Sequence, residues 1–170
     1  MSAEEKIIEL FNNKFPFMEK ELFSVKNERV ISPALNREKF TDVFKFAVDQ
    51  AGFTVFHLII GVDDGDDLGF IYVLSNEAKI MLLLKQSAPK SDPVIKSICE
   101  IFPNALWHER ELVDLFGAMV TDLPPGPTYP LPDGWPAGNY PLRKEWLVEN
   151  FDRETMTYNA PAEKEEEAHE

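Results

Sequence analysis

Cysteine is nearly absent from this chain, and its scarcity excludes whole classes of chemistry. The single Cys99 has no partner for an internal disulfide, and alone it cannot hold an iron–sulfur cluster or a thiolate zinc site. It lies in the apolar run Ile98-Cys99-Glu100-Ile101-Phe102, where it reads as buried filler. Histidine is also scarce, with three in 170 residues. Positive charge is in the minority: 17 Lys and Arg against 30 Asp and Glu give a formal net charge of -13. No basic patch stands out, which excludes nucleic acid and an anionic membrane surface as direct partners. The apolar runs around 53–62 and 80–84 fall well short of the ~20 residues that a spanning helix needs. Any membrane association is therefore expected to be through partners. The acidic start Met1-Ser2-Ala3-Glu4-Glu5 has no apolar signal core, which predicts a cytoplasmic protein. There is no Gly-rich phosphate loop, no nucleophile elbow and no Ser–His–Asp set in recognisable context.

What remains is a chain with 44% apolar residues, enough for one domain with a real core and some tail left over. Ser2 and Glu5 form a capping box ahead of Ile7, Ile8, Leu10, Phe11 and Phe15 at helical spacing, and Pro16 stops that helix. Residues 22–25 and 30–31 read as short strands around a polar turn. A second helix begins near Asn36, buries Phe40, Val43, Phe44, Ala47 and Val48, and closes at Gly52. The runs 54–62, 68–74 and 79–84 then predict a three-stranded antiparallel meander, with the Asp63–Asp67 cluster as a charged turn. No register of that cluster supplies both the glycine and the glutamate of a calcium loop. His57, within the first of these runs, reads as a core or edge histidine with one hydrogen bond. A short helix is expected over 94–101. The fold class is α+β: helices packed on a small, mainly antiparallel sheet.

The chain is organised around Trp107-His108-Glu109-Arg110-Glu111-Leu112-Val113-Asp114-Leu115-Phe116-Gly117. Asn104 stands at a helix N-cap position and Gly117 at a stop. At about 100° per residue, Leu106, Leu112, Val113 and Phe116 share an apolar arc with Glu109 in its middle. A carboxylate there is expected to be paired and poorly solvated, with Arg110 or Arg143 as its candidate partners in the chain. Arg110 and Asp114, four apart, read as an ion pair. His108, Glu111 and Asp114 could approach one metal as in a hydrolase, but one imidazole with carboxylates makes a weak site. Seven of the chain's 13 prolines then fall between Pro124 and Pro141, with Tyr129, Leu131, Trp135 and Tyr140 among them. Such a tract predicts an extended docking tail rather than a plain linker. The division is thus a 1–121 core domain, a 122–159 proline-rich C-terminal docking tail and a 160–170 acidic disordered end.

Three strings carry a resemblance: the Glu109-Arg110-Glu111, Asp114, Phe116-Gly117 helix, then Leu131-Pro132 with Trp135, then Pro141-Leu142-Arg143. In this order they resemble the 30 kDa subunit family of respiratory complex I, the NADH dehydrogenase of the respiratory chain. The stretch 122–130 lacks that family's usual Arg-rich pair. The chain is therefore similar to the branch found in energy-converting membrane-bound [NiFe] hydrogenases, the Ech-like subunits, with a complex I subunit as the alternative. The resemblance implies a non-catalytic, cofactor-free structural subunit in an obligate hetero-oligomer. It would sit peripherally on the cytoplasmic side of the membrane. Its implied partners are a large [NiFe]-hydrogenase-type or quinone-site subunit and a neighbouring iron–sulfur subunit, which carry the NiFe centre and the clusters. The twelve residues Glu109, Arg110, Glu111, Asp114, Phe116, Gly117, Leu131, Pro132, Trp135, Pro141, Leu142 and Arg143 are implied to form the signature and the partner interface.

Overall fold

The computed structural model describes residues 2–20, 24–26 and 29–159; the acidic end and the residues joining the first two strands lie outside the described residues. Helix α1 (Ala3–Lys14) starts at the expected capping box. Ser2 N–H donates to Glu5 at 2.6 Å and Glu5 N–H to the Ser2 hydroxyl at 3.2 Å. Pro16 turns the chain into a short 3-10 helix, Pro16–Lys20. Strands β1 (Ser24–Lys26) and β2 (Arg29–Leu35) pair antiparallel. Helix α2 (Arg37–Asp49) is capped by Asn36, whose side chain accepts Lys39 N–H at 3.0 Å. It buries Phe40, Val43, Phe44 and Ala47, as its spacing predicts, and also Phe46, which meets Phe11 and Phe15 edge-on.

Strands β3 (Val55–Asp63), β4 (Asp67–Ser75) and β5 (Met81–Pro89) form the meander, β5 extending past the expected end at 84 to Pro89. The sheet has five strands in the order β1-β2-β5-β4-β3, and β2 lies parallel to β5. One parallel pairing among antiparallel ones requires a crossover, and α2 with the rest of the meander supplies it. Helices α1 and α2 pack on one face, around a core that includes Phe11, Met18, Phe53, Phe70, Tyr72 and Leu84. This is the α+β arrangement that the sequence predicts.

The helix expected over 94–101 does not form. Val94–Lys96 is strand β6, paired parallel with β7 (Met119–Thr121), and the chain then turns at 99–101. With Pro93 before it and Pro103 after it, the segment has its backbone partner across space rather than along the chain. Helix α3 (Ala105–Phe116) follows. Asn104 occupies its N-cap position but makes no side-chain capping bond. Beyond β7 the chain is irregular until a 3-10 turn, Val148–Asn150, and the two-residue strands β8 (Phe151–Asp152) and β9 (Thr157–Tyr158), which pair antiparallel.

Candidate functional site

Helix α3 rests on β3 through Gly61. A Cβ there would lie 2.9 Å from Leu112 Cδ2 and run into the Phe116 ring, so the close approach needs glycine. With its apolar arc on the sheet, α3 must bury Glu109 as well. Glu109 is 0% exposed, and its partners are not arginines. Its Oε1 accepts Ile98 N–H at 2.7 Å; Oε2 accepts the Ser97 hydroxyl at 2.6 Å and the Cys99 thiol at 3.1 Å. The carboxylate thus satisfies the turn that replaces the expected helix. Cys99 is half-buried; burial, with the Glu109 carboxylate adding to it, pushes its thiol up to about 11, which leaves it an unreactive group.

Arg110 does not pair with Asp114 at contact distance. Its guanidinium gathers three backbone carbonyls of the proline tract: Pro127 O from Nη1 at 3.1 Å, and Pro125 O and Pro124 O from Nη2 at 3.0 and 3.3 Å. Prolines remove amide donors from the tract, so its carbonyls have few backbone partners, and a fork of N–H groups suits them. Asp114 accepts Tyr129 N–H. Burial raises its carboxyl above the ordinary range, opposed by the Tyr129 amide and the Arg110 charge. The Tyr129 ring meets Trp107 edge-on at 5.1 Å, and Arg110 lies 5.3 Å from the Trp107 ring centre. Trp107 and Tyr129 are half-exposed.

The other end of α3 is tied down equally. Gly117 takes the left-handed conformation at φ 70°, its N–H reaching Val113 O at 3.0 Å while Ala118 N–H reaches Leu112 O at 3.2 Å. Arg143 donates from Nε to Phe116 O at 2.7 Å, so a cation sits on the last carbonyls of the helix. Its guanidinium stacks over Tyr140 at 4.5 Å and lies 3.7 Å from Glu145. Leu142 N–H donates to Leu115 O at 3.1 Å, leaving the Leu142 side chain 52% exposed.

One anchor has no signal in the sequence. Asp63, read as part of a charged turn, is buried and accepts Lys144 N–H at 2.8 Å and Gly65 N–H at 2.9 Å. Lys90 Nζ lies 2.7 Å from Asp63 and 2.7 Å from Glu145. Burial raises the Asp63 carboxyl, but Lys90 and the two amides outweigh it and hold it at about 2. Farther along, Trp135, Trp146, Phe151 and Tyr158 stack into a small aromatic cluster. Trp135 Nε1–H closes on Asn139 O at 2.8 Å. Between this cluster and α3 lies a cleft of about 890 Å³, lined among others by Val113, Met119, Leu131, Pro132 and Tyr140.

The structure therefore brings Arg110, Asp114, Phe116, Gly117 and Arg143 together as the scaffold that holds the tract, while Glu109 holds the 97–99 turn on the inner side of α3. Leu131, Pro132, Trp135, Pro141 and Leu142 lie on the tract itself, and Glu111 is half-buried on α3. His108 meets the Phe56 ring edge-on at 5.7 Å. Among the described residues no group of three or more His, Cys, Asp or Glu side chains is placed to hold a metal ion, and no helix is long and apolar enough to cross a membrane.

Residues 34–152 match the family described as respiratory-chain NADH dehydrogenase, 30 Kd subunit. The chain belongs to this family. It is 31% identical to the membrane-bound hydrogenase subunit beta of Pyrococcus furiosus over 151 residues, 85% of this chain and 87% of that one. It is 30% identical to an F(420)H(2) dehydrogenase subunit of Methanosarcina mazei over 143 residues, 82% of this chain and 89% of that one. An NADH-quinone oxidoreductase subunit of Chloroherpeton thalassium is 40% identical over 92 residues, but this covers 52% of this chain and 38% of the relative. The fold is shared with a chain of the membrane-bound sulfane sulfur reductase, an archaeal respiratory membrane complex, at TM-score 0.71, 20% identity, 93% of this chain and 100% of that one. It is shared too with the trypsin-resistant fragment (1-134) of Nqo5 at TM-score 0.57, 21% identity, 72% of this chain and 98% of that one. The family's members here are subunits of multi-subunit oxidoreductase complexes.

Proposed function

We propose that the chain is a non-catalytic, cofactor-free subunit of a membrane-bound energy-converting [NiFe] hydrogenase. It docks on the cytoplasmic side against the large hydrogenase-type subunit, beside an iron–sulfur subunit, and those neighbours carry the NiFe centre and the clusters. The observation that carries this reading is the near end-to-end match with a membrane-bound hydrogenase subunit beta, 85% of one chain and 87% of the other. Side-chain chemistry supports it. The charged signature residues Glu109, Arg110, Asp114 and Arg143 all make internal bonds. What the site offers outward is half-exposed Trp107 and Tyr129, residue types that anchor interfaces, together with the exposed Leu142. The signature thus shapes a surface to be bound.

A second reading, a subunit of an F(420)H(2)-oxidising complex, is favoured by the equally complete match with the subunit of that dehydrogenase. The NADH-quinone alternative has less support, because the match takes in 38% of that relative. Affinity purification of the detergent-solubilised complex through a tag on this chain decides among them. Nickel in the complex with hydrogen oxidation supports the hydrogenase; reduced-F420 oxidation without nickel supports the second reading; NADH oxidation without nickel overturns both.

A further inference from the structure

The five-stranded sheet carries apolar residues on both faces, the second of them most densely toward β3. Leu68, Phe70, Tyr72 and Leu74 of β4 are buried on the helix side. In the alternate register Ile31, Leu83, Val73 and Leu58 make one row across four strands on the other side, and Ile60 sits beside Ile71. An antiparallel sheet that gives one face to water ordinarily alternates apolar with polar residues. This face does carry Lys85, Ser75 and Ser87, but its β3 end is aliphatic, and the apolar exposure is concentrated there. Val73 in the interior is 6% exposed, whereas Leu58, Ile60 and Val55 on β3 are 36%, 43% and 46% exposed.

β3 is the last strand of the sheet. Its backbone pairs with β4, and among the described residues no backbone–backbone hydrogen bond joins residues 55–62 to a further segment on the outer side; at its end the Asp63 side chain accepts the Lys144 amide. Free edges are usually blunted by shortness, by lysine, by proline or by bulges, and β3 has only the last of these, at His57. β3 runs nine residues, contains neither lysine nor proline, and carries one register irregularity between Phe56 and Leu58. In the turn that follows, Asp64 and Asp66 are exposed, and among the described residues no cation lies within ion-pair distance of either.

We propose that β3 is an acceptor edge for an extended segment of a partner protein. The segment adds a sixth strand, lays apolar side chains against Val55, Leu58 and Ile60, and sets a lysine or arginine beside Asp64 and Asp66. A row of unpaired N–H and C=O groups selects an extended backbone, the exposed aliphatics select its alternate side chains, and the bare carboxylates select its charge. A second copy of this chain fits less well, since each copy carries a formal net charge of -13 and repels the other. The site goes beyond the docking reading above, which uses α3 and the proline tract.

The test uses the full chain and a short synthetic peptide of alternating valine and threonine ending in two lysines. Amide hydrogen exchange over residues 55–62 is expected to slow severalfold when this peptide is added. Replacing its lysines by glutamates should weaken binding severalfold at low salt, with the difference shrinking as salt rises. N-methylation of alternate peptide nitrogens, or Leu58→Lys with Ile60→Lys in the chain, should abolish the slowing. Replacing Trp107 and Tyr129 by alanine should leave it unchanged, so failure of the α3 surface as an interface is read separately. Unchanged exchange over 55–62 with the lysine peptide, or equal binding of the N-methylated one, overturns the proposal. A concentration-dependent dimer of the chain that Leu58→Lys abolishes overturns it in favour of a second copy.

Discussion

The Arg110 guanidinium occupies the space that a Cβ on Gly126 would need: Nη1, Nη2 and Cζ are its nearest neighbours. Gly126 is therefore kept small by a side chain from α3, and the tract curls around that side chain through the carbonyls of Pro124, Pro125 and Pro127. Gly126→Ala should push the guanidinium off these carbonyls and cost about 1–3 kcal/mol, the scale of leaving a buried polar group without its partners. Arg110→Lys should behave alike, because an ammonium lacks the planar fork that spans three acceptors. Urea unfolding, with proteolysis inside 122–140 as a local readout, checks both. Wild-type midpoints and unchanged cleavage would show that the guanidinium does not shape the tract.

Glu109 holds the 97–99 turn from within the core. Glu109→Ala removes the acceptor for Ser97, the Ile98 amide and the Cys99 thiol at once, and should destabilise the fold by about 3 kcal/mol. Glu109→Gln keeps the shape and one acceptor oxygen, so it should lose about 1–2 kcal/mol. Faster exchange of the Ile98 amide in both variants would locate the effect. An Ala variant as stable as the parent would mean that the turn does not depend on this carboxylate.

These two residues show how far the sequence can be read. The position of Glu109 on the helix wheel predicts its burial, because burial follows from periodicity within one segment. Its partners do not follow, since Ser97, Ile98 and Cys99 lie in a turn whose place beside α3 is set by the pairing of β6 with β7. The helix wheel points to arginine as the partner of Glu109 and to aspartate as that of Arg110; each instead binds backbone or hydroxyl groups brought up by the fold. Caps and turns are legible for the same local reason: Ser2 with Glu5, Asn36, and Gly117 in its left-handed conformation. The parallel placing of β2 beside β5 is not, because no local signal fixes a pairing that spans an intervening helix and two strands.

Asp63 gives the fold a defined acid response. Its carboxyl is held at about 2 in the folded chain against an ordinary value near 3.8, so the unfolded chain binds the proton more tightly. The resulting stabilisation is fully present above the ordinary carboxylate range and disappears as pH falls through about 2. It amounts to about 2 kcal/mol. Asp63→Asn should flatten stability between pH 5 and pH 2 relative to the parent and expose the Lys144 amide to exchange. Parallel pH profiles for the two proteins would remove Asp63 from the acid response.

Removing the tract separates folding from assembly. A chain ending at Thr121 keeps α1, α2, α3, the five-stranded sheet and the β6–β7 pair, and with them the buried core. It should fold. It should also be less stable than the full chain, because Arg110 loses three carbonyls, Asp114 loses the Tyr129 amide, Phe116 O loses Arg143 and Asp63 loses the Lys144 amide. Assembly is expected to suffer more than folding, since the truncation deletes Tyr129, Trp135, Leu142 and the far wall of the cleft. Circular dichroism and thermal melting read the first effect; co-purification with the membrane complex reads the second. A truncated chain that melts like the parent would show that the tract contributes nothing to the core. One that still assembles would place the partner interface elsewhere on the molecule.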